Sequence, residues 1–234
     1  MISESPHPHV LLIGASRGLG LAIAEEYINH DSHLVATIRG TERTELQDLQ
    51  DASAGRLEIE HIDITIPEHI TALRDRLDGR TFDLLFVNAG VTNNAEDTTA
   101  DVSTEEFARL MITNALSPMR VIEILKDLVS PTGTIAIMSS GQGSITNNER
   151  GGFEIHRASK AALNMLMRSY AARHHDDPRT LLLLAPGWVK TRLGGPNARL
   201  TINESIPNLV KVIDAQHGRG GLQYLDYLGN TVAW

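Results

Sequence analysis

Val10-Leu11-Leu12-Ile13-Gly14-Ala15-Ser16-Arg17-Gly18-Leu19-Gly20 carries an apolar run straight into a glycine-rich turn, and Leu21-Ala22-Ile23-Ala24-Glu25-Glu26-Tyr27 follows at once with helical patterning. An apolar run without alternation predicts a strand buried on both faces, as in a parallel sheet. The glycines permit positive φ and a close approach of backbone to a ligand. A helix opening directly behind the turn points free N–H groups and its positive dipole end at that ligand, which suits phosphate. The spacing is Gly-x-x-x-Gly-x-Gly rather than the commoner Gly-x-Gly-x-x-Gly. An ordinary strand-to-helix turn is the plain alternative, and the rest of the chain argues against it.

Outward from this stretch, strand and helix signals alternate. Strands are predicted at Val10–Ile13, Leu34–Ile38, Leu57–Ile62, Phe82–Val87, Thr134–Met138 and Thr180–Ala185. Helices are predicted from the glycine turn to about His30, and over Thr41–Leu49, Pro67–Leu77, Ser103–Asn114, Pro118–Leu128 and Ile155–His174. Pro67 suits a first helical turn. Such alternation predicts an α/β fold: one doubly wound, Rossmann-like parallel sheet with helices on both faces. No repeat or linker divides residues 1–234, so a single domain is expected. Ligands of such sheets sit at the carboxyl ends of the strands.

Composition bounds the function. The net charge of −8 argues against nucleic-acid or anionic-membrane binding. With no cysteine there is no disulfide framework and no thiol chemistry. No apolar run approaches the roughly 20 residues of a membrane helix, and the Met1–His9 tail lacks a signal layout. A cytoplasmic protein is expected. The ten histidines invite a metal site, but His174-His175 are adjacent and diverge on a helix, and no tight ligand spacing appears. No metal is expected.

The residues following the strands are informative: Arg39, Asp63-Ile64, Asn88-Ala89-Gly90, Ser139-Ser140 and Pro186-Gly187-Trp188-Val189-Lys190-Thr191. With Gly14, Gly18 and Gly20, Asn114, and Ser159-Lys160-Ala161-Ala162-Leu163-Asn164, they form five motifs in order. From Gly14 to about Thr191 the chain resembles the classical short-chain dehydrogenase/reductases. Gly143-Ser144-Ile145, Gly151-Gly152 and His156-Arg157-Ala158-Ser159-Lys160 are similar to the C-factor and sniffer branch, which is related to carbonyl reductases.

The charges point to a cofactor. A fold of this kind that prefers NAD usually has an acid about 20 residues past the glycines. Here the second strand ends Thr37-Ile38-Arg39, and Arg17 sits in the turn, so two guanidiniums are available to a 2′-phosphate. NADP(H) is therefore favoured over NAD(H); a solvated Arg39 is the alternative. The resemblance implies a cofactor site of Gly14, Ser16, Arg17, Gly18, Leu19, Gly20, Arg39, Asp63, Ile64, Asn88, Ala89, Gly90, Lys160, Pro186, Gly187, Val189 and Thr191. In it, Asp63 and Ile64 would hold the adenine and Thr191 the carboxamide. Asp63 reads equally well as a turn residue.

The resemblance also implies a catalytic set. Ser140 would orient the substrate carbonyl, Lys160 would hold the ribose and Asn114 would sustain a water relay. Ser140 is preferred to Ser139 because Gly143 stands three residues later. The family's proton-transfer tyrosine should stand four residues before Lys160, where this chain has His156. Positions i and i+4 share a helix face, so the placement survives while the group changes. A neighbouring ammonium lowers an imidazolium pKa below 6.5 and leaves a neutral ring, a better base than acid. General acid–base catalysis contributes about 10²–10⁴-fold, so the change bears directly on turnover. His156 reads as a working acid/base, as an engineered replacement, as the mark of a cofactor binder without redox chemistry, or, with Ser140, as a hydrolytic base. The last reading lacks a nucleophile elbow, although Glu149 and Glu154 are near in sequence.

The leading expectation is an NADP(H)-dependent oxidoreductase interconverting a small-molecule carbonyl and alcohol. The alternative is a cofactor-binding regulatory or signalling protein, or an inactivated family member. Residues 192–207, with Gly194-Gly195-Pro196, have the composition of a mobile loop and by resemblance form a substrate lid. The apolar surface of Ile155–His175 exceeds one helix face, and the resemblance implies a homodimer or homotetramer.

Overall fold

The computed structural model describes residues 7–234. Most of the Met1–His9 tail thus lies outside the described residues. Seven parallel strands stand in the order β3-β2-β1-β4-β5-β6-β7. They are β1 (His9–Ile13), β2 (His33–Ile38), β3 (Leu57–His61), β4 (Phe82–Val87), β5 (Val129–Met138), β6 (Thr180–Ala185) and β7 (Gly221–Asp226). The helices are α1 (Gly18–Asn29), α2 (Glu45–Ala52), α3 (Pro67–Arg76), α4 (Thr104–Met111), α5 (Ser117–Leu125), α6 (Glu154–Arg173) and α7 (Ile202–Gln216).

The central strands β1, β4 and β6 are apolar along nearly their whole length because they feed two cores, whereas the edge strands β3 and β7 carry polar residues. Leu11 and Ile13 face one cluster with Ile70 and Leu73 of α3, Val121 and Ile122 of α5 and Leu163 of α6. Val10 and Leu12 face the other, with Ile23 of α1 and Leu209 and Val210 of α7. The alternation continues in β6, where Leu181 and Leu183 join the first cluster and Leu182 and Leu184 the second. This is the doubly wound α/β architecture read from the sequence, with helices on both faces.

Three boundaries differ from the sequence reading. The second helix starts later, at Glu45, because Thr44 and Gln47 form a capping box there. The fifth strand starts earlier, at Val129: register shifts between Phe82 and Leu84, and Gly133 lets the chain bulge where a Cβ would come within 2.7 Å of Val129. The third difference is α7, whose first turns fall where the sequence predicts a loop. Thr201 and Glu204 close a capping box, and Pro207 sits inside the helix rather than ending it. The last six residues of the expected 192–207 loop are therefore helical. The remainder is a closed loop. Trp188 Nε1 donates to the Gly194 carbonyl at 2.7 Å, Gly194 N–H to Thr191 Oγ1 at 3.0 Å, and Lys190 N–H to the Leu200 carbonyl at 2.8 Å.

Candidate active site

All strands run the same way, so their carboxyl ends open on one edge, where β1 and β4 lead to helices on opposite faces. A cleft of about 1010 Å³ lies there, and Gly14, Arg39, Asp63, Asn88, Ser140 and Pro186 line it. Seven strand ends thus bring together residues that are far apart in sequence.

At the β1 end the turn is built for close approach. A Cβ on Gly20 would lie 2.0 Å from the Gly14 carbonyl oxygen and 2.6 Å from Asn88 Nδ2, so only glycine fits. Asn88 Nδ2 donates to that same carbonyl at 2.8 Å. Gly14 has φ +91°, and its Cβ would meet Ala89 N at 2.9 Å. Gly18 has φ +58°, and a Cβ there would touch the Thr191 side chain at 3.9 Å. Ser103 and Thr201 cap their helices with side-chain oxygens, whereas the α1 N-cap, Arg17, gives no such bond, and α1 has no acid in its first turn. The first N–H groups of α1 are left for a ligand.

Arg17 and Arg39 are exposed on this rim. Arg39 approaches Asp63 Oδ2 at 4.0 Å. Asp63 Oδ1 accepts from Thr65 N–H at 2.9 Å and from Thr65 Oγ1 at 2.6 Å, so its side chain closes its own turn. Burial pushes the Asp63 carboxyl up, but the Thr65 bonds, Arg39 and His69 outweigh it and hold the pKa below the usual value.

At the other end, β5 and α6 meet. Lys160 is buried, and its Nζ donates to the Met138 carbonyl at 2.9 Å. Burial without a paired acid lowers its pKa to about 8. His156, one turn earlier, is 7% exposed and its pKa falls to about 4. Burial is the larger cause and the Lys160 ammonium the second, while the Val91 backbone pulls the other way. The sequence reading had the direction but assigned it to the ammonium. Nδ1 of His156 is buried without a partner. The nearby Glu154 carboxylate accepts from Thr99 N–H at 3.1 Å, so it does not orient the ring as a hydrolytic triad requires.

Asn114 lies in a π-helical turn, Ile112–Leu116, between α4 and α5. Its Oδ1 accepts from Val91 N–H at 2.8 Å; its Nδ2 donates to the Val91 carbonyl and to Ser159 Oγ, each at 2.9 Å. Ser159 Oγ donates in turn to the His156 carbonyl at 2.7 Å. A Cβ on Gly90 would sit 3.4 Å from Asn114 Oδ1 and 3.6 Å from Lys160 Nζ, so these three groups converge.

The two serines differ. Ser139 is buried and its Oγ donates to Asn164 Oδ1 at 2.6 Å. Ser140 is half-buried on the cleft, and its Oγ accepts from Gln142 N–H at 3.1 Å. Ser140 is the freer hydroxyl. Sequence reasoning missed Thr92, Arg109 and Val232 on the cleft wall. It also missed Asp226 and Tyr227, although their place at the end of the last strand was a usable signal.

Known proteins fit this geometry. A family model described as enoyl-(acyl carrier protein) reductase matches residues 14–211. A Burkholderia multivorans short-chain dehydrogenase/reductase, solved with bound NADP, is 57% identical, with a TM-score of 0.96 over 98% of this chain and 100% of that one. A Pseudomonas aeruginosa carbonyl reductase in complex with NADP is 33% identical, with a TM-score of 0.90 over 97% and 100%. The C-signal protein of Myxococcus xanthus is 35% identical over 65% of this chain and 92% of its own. The family model covers most of the chain and the two solved structures nearly all of it, and the chain is a member of the short-chain dehydrogenase/reductase family.

Proposed function

We propose that this protein is an NADP(H)-dependent oxidoreductase that interconverts a carbonyl and an alcohol, with His156 at the proton-transfer position. The observation that carries the reading is the α6 face itself: His156 and Lys160, both buried, open on the cleft beside Ser140. The cofactor fits the residues present, because Gly20 leaves room that any Cβ would fill and α1 offers uncapped N–H groups. Gly14, Ser16, Arg17, Gly18, Leu19 and Gly20 would hold its diphosphate side, and Arg17 and Arg39 would select a 2′-phosphate over a hydroxyl. Asp63, Ile64, Asn88, Ala89, Gly90, Pro186, Gly187, Val189 and Thr191 would form the remaining walls. When bound, the nicotinamide gives or takes a hydride.

The chain supplies the rest. Ser140 donates its hydroxyl proton to the substrate oxygen. The Lys160 ammonium adds positive charge beneath that oxygen and holds the ribose. Asn114 fixes the Val91 peptide and, through Ser159, the turn of α6 that carries His156. The neutral His156 ring accepts the proton of an alcohol during oxidation. Reduction needs the protonated ring, present at about one part in a thousand at pH 7 for a pKa of about 4. Oxidation is therefore expected to be flat between about pH 5 and pH 7 and to change again as Lys160 titrates near 8, and reduction to fall roughly tenfold per pH unit above about pH 4. Initial rates with NADP⁺ and secondary alcohols, and with NADPH and the matching ketones, test this; a tyrosine-like plateau in reduction up to pH 8 would contradict it. The loop at 192–201 and the start of α7 would act as a lid.

A second reading has one observation in its favour. Among the described residues His156 Nδ1 is buried with no hydrogen-bond partner, whereas a working imidazole usually has an orienting group on the nitrogen turned away from substrate. On that reading the protein binds cofactor and signals or regulates without turnover. Similarity to a protein named C-signal is in keeping with it.

A further inference from the structure

Three consecutive residues at the end of β5 are tied to different parts of the protein. The Met138 carbonyl accepts from Lys160 Nζ at 2.9 Å and Ser139 Oγ donates to Asn164 Oδ1 at 2.6 Å, both on α6. The third tie comes from β7, two places away in the sheet: the Tyr224 hydroxyl donates to the Ser140 carbonyl. That carbonyl also accepts from Gly143 N–H at 2.9 Å. Tyr224 thus grips the peptide from which the short 3₁₀ turn Gly141–Gly143 is built.

Tyr224 is itself held from behind. Its ring packs on Trp234 with centroids 5.5 Å apart, and the Arg168 guanidinium lies 4.7 Å from the Trp234 ring. The Trp234 carbonyl accepts from Thr146 N–H at 3.0 Å, beyond the same turn. Tyr224 is 2% exposed, and burial pushes its pKa up, so the phenol stays protonated and keeps donating. Tyr224, Trp234 and Arg168 are absent from the cleft wall, whereas Ser140 is on it. The Tyr224 hydroxyl meets the site at the Ser140 carbonyl, beside the Ser139 and Asn164 side chains.

We propose that Tyr224 is a positioning residue for Ser140, fixing the peptide that aims the Ser140 hydroxyl at the substrate oxygen, with Trp234 as its backing. This rests on the reading of Ser140 as the residue that orients substrate. A peptide held by one bond in place of two rocks about its neighbours, and small misplacements of an orienting group are costly in rate.

Tyr224→Phe is the test, because it keeps the ring on Trp234 and removes one hydroxyl. Hydrogen exchange at Gly141–Ser144 is expected to speed up about tenfold, with β5 and α6 unchanged. NADPH affinity, read by fluorescence, is expected to stay within about twofold, since no cofactor-side group moves. In alcohol oxidation, kcat/KM is expected to fall about tenfold, and the same change in a Ser140→Ala background is expected to cost less than about twofold. Unchanged exchange at Gly141–Ser144, faster exchange across the whole sheet, or an equal loss in both backgrounds would overturn the proposal. If the parent protein turns over no substrate, the exchange result still decides the positioning role, and the missing turnover counts against the redox reading alone.

Discussion

At the residue scale, everything turns on the environment of His156. The i, i+4 spacing to Lys160 was legible in the sequence, and so was the loss of tyrosine. The depth of burial was not, since it comes from Val91 and its neighbours arriving from other elements. The consequence reaches stability as well as chemistry. The folded-state pKa of about 4 lies below the unfolded value near 6.5. Between those values the unfolded chain binds a proton that the native chain refuses, so stability is full above about pH 6.5 and falls with pH. The loss is about 2 kcal/mol by pH 5. His156→Tyr removes the titration, so urea midpoints of the two proteins at pH 7.5 and pH 5 should diverge as acid is added. Identical pH dependence in both would mean that the ring is not buried as described.

At the element scale, two devices place the chemistry. The first is the turn into α1. Gly18→Leu puts a branched side chain against Thr191 at a positive φ, and NADPH binding by fluorescence is expected to be lost while the circular dichroism spectrum stays native. Retained binding would show that the phosphates lie elsewhere. The second is the π-helical turn holding Asn114. An extra residue per turn is the kind of irregularity that marks functional positions, and here it turns the amide onto both polar groups of Val91. Asn114→Ala leaves three hydrogen bonds unmade, so a loss of about 3 kcal/mol in urea denaturation is expected; less than about 1 kcal/mol would mean that water replaces the side chain. The sequence carried the strand–helix alternation because the central strands are apolar on both faces and β3 alternates. It concealed α7 because Gly194-Gly195-Pro196 and Pro207 carry loop signals, while the capping box of Thr201 and Glu204 overrode them. Helical patterning could not distinguish α-turns from the π-turn at Asn114, because one extra residue barely changes the apolar period.

At the scale of the whole molecule, the sheet gathers strand ends into one cleft, and the helices opposite carry surface that the monomer leaves uncovered. Phe107, Ile112 and Leu116 around the α4–α5 junction and Met165 and Leu166 of α6 are all exposed, Met165 by 63%. Apolar groups concentrated on neighbouring helices are what self-association covers. Light scattering of the purified protein is expected to give a dimer or tetramer, and Met165→Glu with Leu166→Glu a monomer that still binds NADPH. A monomeric parent, or an assembly indifferent to those changes, would place the interface on another face or remove it. Among the described residues no helix is long and apolar enough to cross a membrane. Which residues would share the cleft was largely readable from one rule, that ligands gather at strand ends. Arg109 escaped it because it sits on α4, away from any strand end, and Val232 because it follows the turn after β7.

The measurement that bears most directly on the account is NADPH oxidation against a panel of aldehydes, ketones and quinones, for this protein and for His156→Tyr, from pH 5 to 9, with NADPH binding followed in the same samples. The account predicts that both proteins bind NADPH. It predicts that the parent reduces faster as pH falls, and that the tyrosine variant is faster at pH 7 by about 10²-fold or more and nearly flat with pH. Turnover by the tyrosine variant alone, with binding intact in both, would contradict the claim that His156 is a working acid/base and leave the binding role in its place.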